Sequence, residues 1–348
     1  MSNQLPERMR VAVYKEKGRL ALEERRVQEP GPANLLLRVS HCGVCGTDLH
    51  LVMEGWGLPG SIGGHEYSGT VVALGKEVDG FAVGDRVVGG PNPGCGECEP
   101  CRAGRPTLCL EGATPGMGSF QGAFAEYKQV AAAEALKIPE ALDMRTAALA
   151  EPLAVALHGI RASGLQPGQR ALVTGAGPIG MLSLAALRAL GVEEVTVSEP
   201  GLARRELAAK VGATRVVAPE ELRRPRMAFE LVAEPFHAAI ECSGQPSAAE
   251  AALAQLGRMG TLVLSGTGME RPRLDSVRVI LNELVVTGAY ASDARDFASA
   301  LELLASGRLR SNLLIAADDV ALEGLQAAME ALVAGHIGGK VMVAPEPA

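Results

Sequence analysis

The chain has 348 residues, 47% of them hydrophobic, and a formal net charge of −7 at pH 7. This length favours two domains, and the acidic balance argues against a nucleic-acid surface, which needs clustered Lys and Arg. The charged N-terminal sequence MSNQLPERMR has no signal-peptide pattern, and no apolar run reaches the roughly 18 residues of a membrane span. We therefore expect a cytoplasmic protein without a membrane partner.

Short β-rich runs occupy the first part of the chain, from about residue 9 to residue 130. They include RVAVYK, LLLRVS, YSGTVVALG and GDRVVGG, and they are separated by Gly, Pro and Asp. Frequent turns between short strands indicate a strongly bent antiparallel barrel or sandwich.

Four of the seven cysteines lie in one segment, GCGECEPCRAGRPTLC, with the spacing C-x2-C-x2-C-x7-C. In a reducing compartment, clustered thiols more often hold a metal than each other. Four thiolates at these spacings can close a tetrahedral zinc site that leaves no position for substrate, so the site would be structural. An iron–sulfur cluster, disulfides or free thiols are the alternatives. The four predicted ligands are Cys95, Cys98, Cys101 and Cys109.

The pattern changes near residue 152 to strands that alternate with helices. RALVTGAG precedes PIGMLSLAALRALG, EVTVSEP precedes LARRELAAKVGA, and HAAIECSG precedes PSAAEAALAQLG. Such alternation predicts a doubly wound parallel sheet, and therefore an α/β protein with one β-rich and one doubly wound part.

A glycine motif follows the first of these strands. Gly175, Gly177 and Gly180 form G-x-G-x-x-G between a β-run and an apolar helix, which is the context that a dinucleotide-binding turn requires. Glu199 ends the second strand, where an acidic side chain would accept hydrogen bonds from an adenosine ribose. An ordinary solvated carboxylate is the alternative for Glu199. The motif predicts dinucleotide binding.

Histidine, cysteine and glutamate recur in HCGVCGTDLH, GGHEYSG and LAEPLAVALHG. A catalytic zinc takes about three protein ligands and keeps one position open. From spacing alone, Cys45, His65 and Glu66 are only weak candidates.

The order of GVCGTDLH, GHEYSG, GDRV, the cysteine segment, EPLAVALHG and VTGAGPIG resembles the zinc-dependent medium-chain alcohol dehydrogenases, nearest the sorbitol, threonine and butanediol dehydrogenase branch. The resemblance implies a GroES-like catalytic domain made of residues 1–152 and 290–348, with a structural zinc lobe at residues 93–110. A Rossmann domain would cover residues 153–289. A homo-oligomer, tetramer or dimer, is also implied.

The resemblance assigns the catalytic zinc to Cys45 and His65. Glu66 matches a glutamate that binds the metal directly in some family members and stands just behind it in others. Glu151 stands where classical alcohol dehydrogenases have a cysteine ligand, and it could bind zinc directly, through water, or in exchange with Glu66. Asp48 would accept a hydrogen bond from the ligating histidine. The resemblance also assigns two further catalytic residues, which would pass the proton of the substrate hydroxyl towards solvent: Thr47 and His50.

The resemblance also implies contacts with NAD. Glu199 would repel the 2′-phosphate of NADP, although Arg204 and Arg205 could accommodate it; we expect NAD. The implied cofactor residues are Gly175, Gly177, Pro178, Ile179, Gly180, Glu199, Arg204, Gly266, Thr267, Gly268, Ala289 and Tyr290.

The implied activity is reversible oxidation of a small-molecule secondary alcohol to a ketone, with two zinc ions and NAD in each chain. Trp56, Leu58 and Phe120 would form apolar pocket walls, and TGAYASD lacks the arginine that sorbitol dehydrogenases use for sugar hydroxyls. A less polar secondary alcohol, a class that includes cyclic alcohols and vicinal diols, is therefore expected. The alternatives are a polyol or L-threonine 3-dehydrogenase, a zinc-free quinone or enone reductase, and a non-enzymatic zinc-binding structural protein.

Overall fold

The computed structural model describes residues 5–90, 94–111 and 121–346. The chain forms two compact units. The first unit contains Met1–Glu151, Asp293–Ala305 and Ile315–Ala348, and the second contains Pro152–Ser292 and Ser306–Leu314. No helix in the described part of the chain is both long enough and apolar enough to cross a membrane.

Antiparallel strands build the first unit. A hairpin of β1 and β2 packs beside a larger sheet in which β3 pairs with β4 and β6, β4 with β5, and β5 with β7. Buried apolar residues of β1 and β3, such as Val11, Val13, Leu35 and Leu37, form its core. The strands are β1 (Arg8–Glu16), β2 (Arg19–Arg26), β3 (Asn34–Gly43), β4 (Glu66–Leu74), β5 (Arg86–Gly89), β6 (Tyr127–Ala131) and β7 (Ala135–Lys137).

The first three helices in the described part of the chain have four residues each, whereas the fourth has 14. Cys45 directly precedes α1, which continues into a π-helical turn at His50–Glu54. The first helices are α1 (Gly46–Leu49), α2 (Glu99–Arg102), α3 (Met144–Ala147) and α4 (Ala150–Ser163).

A parallel six-stranded sheet forms the second unit, in the order β10-β9-β8-β11-β12-β13. Counted along the chain this is 3-2-1-4-5-6, the order of a Rossmann fold. The middle of β8 is fully buried, as expected for a strand covered on both faces. The strands are β8 (Arg170–Thr174), β9 (Glu194–Ser198), β10 (Arg215–Val217), β11 (Phe236–Glu241), β12 (Leu256–Leu264) and β13 (Val285–Gly288), and the helices are α5 (Pro178–Ala189), α6 (Leu202–Val211), α7 (Pro246–Ala254) and α8 (Ser276–Leu281).

The chain returns to the first unit at its C-terminal end. The last helices are α9 (Ala294–Ala305), α10 (Ser311–Leu314) and α11 (Leu325–Val333). The final strand, β14 (Met342–Val343), pairs antiparallel with the end of β3, placing Met342 opposite Gly43. This pairing brings C-terminal residues to the edge of the sheet where β3 ends and β4 begins.

Candidate active site and metal centres

The ends of two neighbouring strands bring three potential metal ligands together. Cys45 follows β3, while His65 and Glu66 stand at the start of β4, and Gly43 pairs with Glu66 across the two strands. Among the described residues, one ligand atom each of Cys45, His65 and Glu66 lies within 4.8 Å of the other two. A thiolate, an imidazole and a carboxylate form a donor set that zinc accepts.

Asp48 connects the loops that carry these ligands. Its two carboxylate oxygens accept hydrogen bonds from the backbone N–H of Cys45, at 2.9 Å, and from that of Gly64, at 3.0 Å. Its Oδ1 lies 3.9 Å from Nδ1 of His65, which is too long for a hydrogen bond but close enough for a charge interaction. Asp48 thus fixes both loops and places a negative charge beside His65.

The electrostatics of this group favour a cation. Burial lowers the pKa of His65, but the nearby Cys45 and Asp48 outweigh this effect and hold it well above its usual value. Burial raises the pKa of Glu151 to about 7, while His65 opposes that rise. Without a metal, the group therefore retains protons; a metal ion would replace them.

Glu66 supplies the most specific indication of a metal. Its side chain is fully buried, and Oε1 accepts a hydrogen bond of 2.6 Å from Nζ of Lys340, which is also buried. The other oxygen, Oε2, is buried and has no hydrogen-bond partner among the described residues. An unpartnered buried carboxylate oxygen is costly. A zinc ion beside Cys45 and His65 would satisfy it, so these residues fit the metal.

Thr47 and His50 lie on the helical segment that follows Cys45. The Cys45 thiol donates to Oγ1 of Thr47 at 3.8 Å. The His50 ring stacks on Trp56, with centroids 4.6 Å apart, and Nδ1 of His50 lies 2.9 Å from a carboxylate oxygen of Glu54. The stacking on Trp56 orients the His50 ring, whereas Nδ1, despite its approach to Glu54, has no hydrogen-bond partner among the described residues. The sequence did not suggest this arrangement.

The expected pocket walls are partly visible. Trp56 is 43% exposed and Leu58 is 50% exposed. Phe120 lies outside the described residues, as does Pro93 at the start of the expected zinc lobe.

The four clustered cysteines surround a common centre. Their sulfurs all lie within 4.8 Å of one another, and Sγ–Sγ distances are 3.9 Å both for Cys95–Cys101 and for Cys98–Cys109. A tetrahedron of sulfurs about 2.3 Å from zinc has edges of about 3.8 Å, whereas a disulfide measures about 2.05 Å. All four are free thiols. Backbone hydrogen bonds from Leu110 and Cys101 lower the pKa of Cys98 to about 6, whereas burial and the hydrogen bond with Cys98 raise the pKa of Cys101 to about 11.

The glycine motif forms a tight turn between β8 and α5. Gly175 has a φ of +89°, which favours glycine, and a Cβ on Gly180 would overlap the carbonyl oxygen of Gly175. Around Gly177 there is open space instead. Pro178 and Ile179 begin α5. The turn thus leaves room for a phosphate at the N-terminus of a helix, where backbone N–H groups attract anions.

Glu199 contacts the glycine turn directly. Its side chain is 4% exposed, and its oxygens accept hydrogen bonds from the backbone N–H of Ala176, at 2.8 Å, and of Gly201, at 2.9 Å. The guanidinium of Arg205 donates to the carbonyl oxygens of Glu199 and Pro200. Arg205 is therefore engaged by the backbone.

Glu241, at the end of β11, plays a similar role that the sequence analysis missed. It accepts hydrogen bonds from the backbone N–H groups of Ser243, at 2.7 Å, and Gly244, at 3.1 Å. The loop of Gly266, Thr267 and Gly268 packs so tightly on Gly244 that no Cβ fits at either of its glycines. The sequence signal for this role of Glu241 was an acidic residue at the end of a strand, shortly before a Ser-Gly pair.

Polar groups without partners line the same edge of the sheet. The hydroxyls of Thr174, at the end of β8, and Ser265, just after β12, are buried and have no hydrogen-bond partner among the described residues. Ligands of open parallel sheets bind at the carboxyl ends of the strands. Ala289 and Tyr290 follow β13 at this edge, Ala289 buried and Tyr290 exposed. The edge fits a dinucleotide.

Comparisons with known proteins agree with this geometry. Residues 31–140 match the alcohol dehydrogenase GroES-like domain, and residues 178–306 match the zinc-binding dehydrogenase domain. The chain is 37% identical to the L-threonine 3-dehydrogenase of Paraburkholderia xenovorans over 282 residues, which cover 79% of this chain and 81% of that enzyme.

Two solved structures align with nearly the whole chain. A zinc-binding dehydrogenase of Sinorhizobium meliloti bound to NADP is 31% identical, with a TM-score of 0.87 over 98% of this chain and 100% of that one. The 2R,3R-butanediol dehydrogenase of Bacillus subtilis is 26% identical, with a TM-score of 0.87 over 97% and 100%.

The chain belongs to the zinc-dependent medium-chain alcohol dehydrogenases. It is an oxidoreductase that uses a nicotinamide cofactor and zinc. The predicted family, the pairing of a GroES-like domain with a Rossmann domain, and the enzyme class are confirmed.

Proposed function

We propose that the protein oxidises a small secondary alcohol to a ketone with NAD, reversibly, at a catalytic zinc held by Cys45 and His65. Two observations carry this proposal: ligand atoms of Cys45, His65 and Glu66 lie close together, and Oε2 of Glu66 is buried without a hydrogen-bond partner among the described residues. Glu151 is a further ligand or a residue that exchanges with Glu66. The expected domain boundaries, residues 1–152 with 290–348 and residues 153–289, remain part of this proposal.

Two bound groups supply the chemistry. Zinc, when bound, acts as a Lewis acid that lowers the pKa of a coordinated hydroxyl. A bound oxidised nicotinamide would supply the hydride acceptor for the carbinol carbon. The remaining steps belong to the protein.

Thr47 accepts a hydrogen bond from the substrate hydroxyl and, as it takes up that proton, gives its own proton on towards His50, which releases a proton to solvent. The contact between Thr47 and the Cys45 thiol supports the first role, because it places the hydroxyl beside the proposed metal ligands. The stacking of the His50 ring on Trp56 supports the second, because it orients an imidazole whose Nδ1 has no hydrogen-bond partner among the described residues. Proton transfer by a positioned side chain contributes typically 10²–10⁴-fold to a rate.

A second zinc occupies the cysteine lobe. The proximity of all four sulfurs and the Sγ–Sγ distances of 3.9 Å support a closed, structural site. Metal analysis of the purified protein tests this proposal, which expects two zinc ions per chain. One zinc or none would oppose it.

The proposed cofactor is NAD. The buried carboxylate of Glu199 at the end of β9 supports this choice, because a 2′-phosphate placed beside it would be repelled. Arg205 donates hydrogen bonds to backbone carbonyls. Arg204 is therefore the arginine that we expect near the adenosine ribose. The Sinorhizobium relative binds NADP, so both cofactors must be assayed.

The substrate class follows from the proposed pocket and the relatives. Partly exposed Trp56 and Leu58 support an apolar wall, suited to a secondary alcohol, a cyclic alcohol or a vicinal diol. The L-threonine 3-dehydrogenase and butanediol dehydrogenase relatives act on hydroxyls next to a second polar group, which favours L-threonine or a polyol as the second candidate.

A substrate panel tests these candidates. NADH formation would be followed with secondary alcohols, 2,3-butanediol stereoisomers, polyols and L-threonine. The proposal expects the highest kcat/KM among secondary alcohols and vicinal diols; the highest value with L-threonine or a polyol would select the second candidate.

We also propose a cytoplasmic homo-oligomer, a dimer or tetramer. Exposed apolar side chains on the edge strand β13 and on α8, including Val285 and Ile280, support an interface between copies, because exposed apolar edges are usually covered. Light scattering of the purified protein measures its mass; a monomer would contradict the oligomer.

A further inference from the structure

Lys340 is buried in the first unit, where lysine is rarely found without a charged partner. It is 1% exposed, and its ammonium group donates hydrogen bonds to Oε1 of Glu66, at 2.6 Å, and to the carbonyl oxygen of Val44, at 3.0 Å. The ammonium group of Lys340 therefore stands directly behind a candidate metal ligand.

Strand pairing explains how Lys340 reaches this position. Gly43 at the end of β3 pairs with Glu66 on one side and with Met342 on the other. Residues from two distant parts of the sequence thus flank the same glycine. A Cβ on Gly43 would overlap Oε2 of Glu66 and would lie 3.1 Å from Cδ of Lys340. Gly43 provides the space that the Glu66 carboxylate occupies.

The two oxygens of Glu66 therefore differ. Oε1 is held by the ammonium group, whereas Oε2 is buried beside Gly43 without a hydrogen-bond partner among the described residues. A carboxylate fixed at one oxygen cannot turn freely, so its other oxygen keeps a set direction. Partners that orient a ligand in this way typically contribute 10–100-fold to metal affinity.

We propose that Lys340 is a positioning residue of the catalytic metal centre: with Gly43, it orients the Glu66 carboxylate so that Oε2 binds the metal. The proposal rests on the proposed zinc site at Cys45 and His65. It predicts that a change at either Lys340 or Gly43 alters coordination at that site and leaves the cysteine lobe unchanged.

The test compares four variants as full-length holoproteins. Lys340→Met removes the ammonium group, Lys340→Gln keeps a donor without charge, and Gly43→Ala adds one methyl group against Oε2 while retaining the lysine. Lys137→Met is the matched control, because Lys137 forms an exposed pair with Asp85, at 2.9 Å. Zinc affinity is measured by chelator competition, and coordination by the visible absorption of protein whose catalytic zinc is exchanged for cobalt(II).

The expected result is a loss of catalytic-site zinc affinity of about 10–100-fold in Lys340→Met and Gly43→Ala. Lys340→Gln should lose less zinc affinity. The cobalt spectrum should change in Lys340→Met and in Gly43→Ala. The control and the lobe zinc should match wild type. If Lys340→Met does not fold, Gly43→Ala alone decides.

Unchanged affinity and an unchanged cobalt spectrum in the folded variants would overturn the proposal, even if their melting temperatures fall. Such a result would leave the proposed function intact, provided that wild type binds two zinc ions and oxidises an alcohol. A wild type that binds no catalytic zinc would instead refute the proposed function itself.

Discussion

Replacing Glu199 by Gln tests how one buried carboxylate serves both the cofactor site and the fold. In the wild type, its oxygens accept hydrogen bonds from Ala176, at 2.8 Å, and Gly201, at 2.9 Å, and the side chain is almost completely buried. Glutamine keeps the shape and retains one acceptor oxygen. Its NH₂ group faces one of the two backbone N–H groups, so two donors oppose each other.

The expected magnitudes follow from those contacts. One buried donor left unsatisfied costs about 1–3 kcal/mol, which should appear as a lower free energy of unfolding. Loss of the negative charge removes the repulsion of a 2′-phosphate. The ratio of kcat/KM for NAD to that for NADP should therefore fall at least tenfold, equivalent to about 1.4 kcal/mol of transition-state binding.

The assay measures both cofactors with one alcohol, together with urea unfolding. Glu206→Gln serves as the control, because Glu206 is exposed on the following helix and the substitution makes the same change of charge. An unchanged cofactor ratio in Glu199→Gln, or a wild type that already prefers NADP, would refute the reasoning. Arg204 would then be the residue that determines the choice between NAD and NADP.

Two further predictions concern the metal centres. Cys98→Ser should remove one zinc per chain and lower the melting temperature, because metal-binding free energy is folding free energy in such loops; full zinc content measured by atomic absorption would contradict the structural site. In metal-free protein, burial raises the pKa of Glu151 to about 7, so the folded state binds that proton more tightly than the unfolded chain. The free energy of unfolding of the metal-free wild type should therefore fall as the pH rises towards 7, and that of Glu151→Gln should fall less. If urea unfolding shows the same pH dependence for both proteins, this prediction is wrong.

The fold was largely predictable because its signals are local. Alternating strands and helices after residue 152 predicted the parallel sheet, and the glycine motif marked its first turn, since only glycine fits at positions such as Gly180. The proximity of the four cysteine sulfurs was also predictable, because seven residues or fewer separate each cysteine from the next and a short loop can bring them together.

The candidate catalytic site was harder to read because long-range pairing assembles it. Nothing near Lys340 in the sequence indicates that it contacts Glu66, which lies 274 residues away. The stacking of His50 on Trp56 likewise depends on the π-helical turn that joins them. Glu241 was overlooked because its position at the end of a strand, before a Ser-Gly pair, was not taken as a sign that it binds backbone N–H groups.

The most direct test of the central claim combines zinc analysis with turnover in Cys45→Ala and His65→Ala. Wild type should contain two zinc ions per chain and reduce NAD with a secondary alcohol or diol. Each variant should retain one zinc and still bind NADH, measured by fluorescence titration, but should show no alcohol oxidation. Retained turnover in either variant, or two zinc ions in both, would contradict a catalytic zinc held by Cys45 and His65.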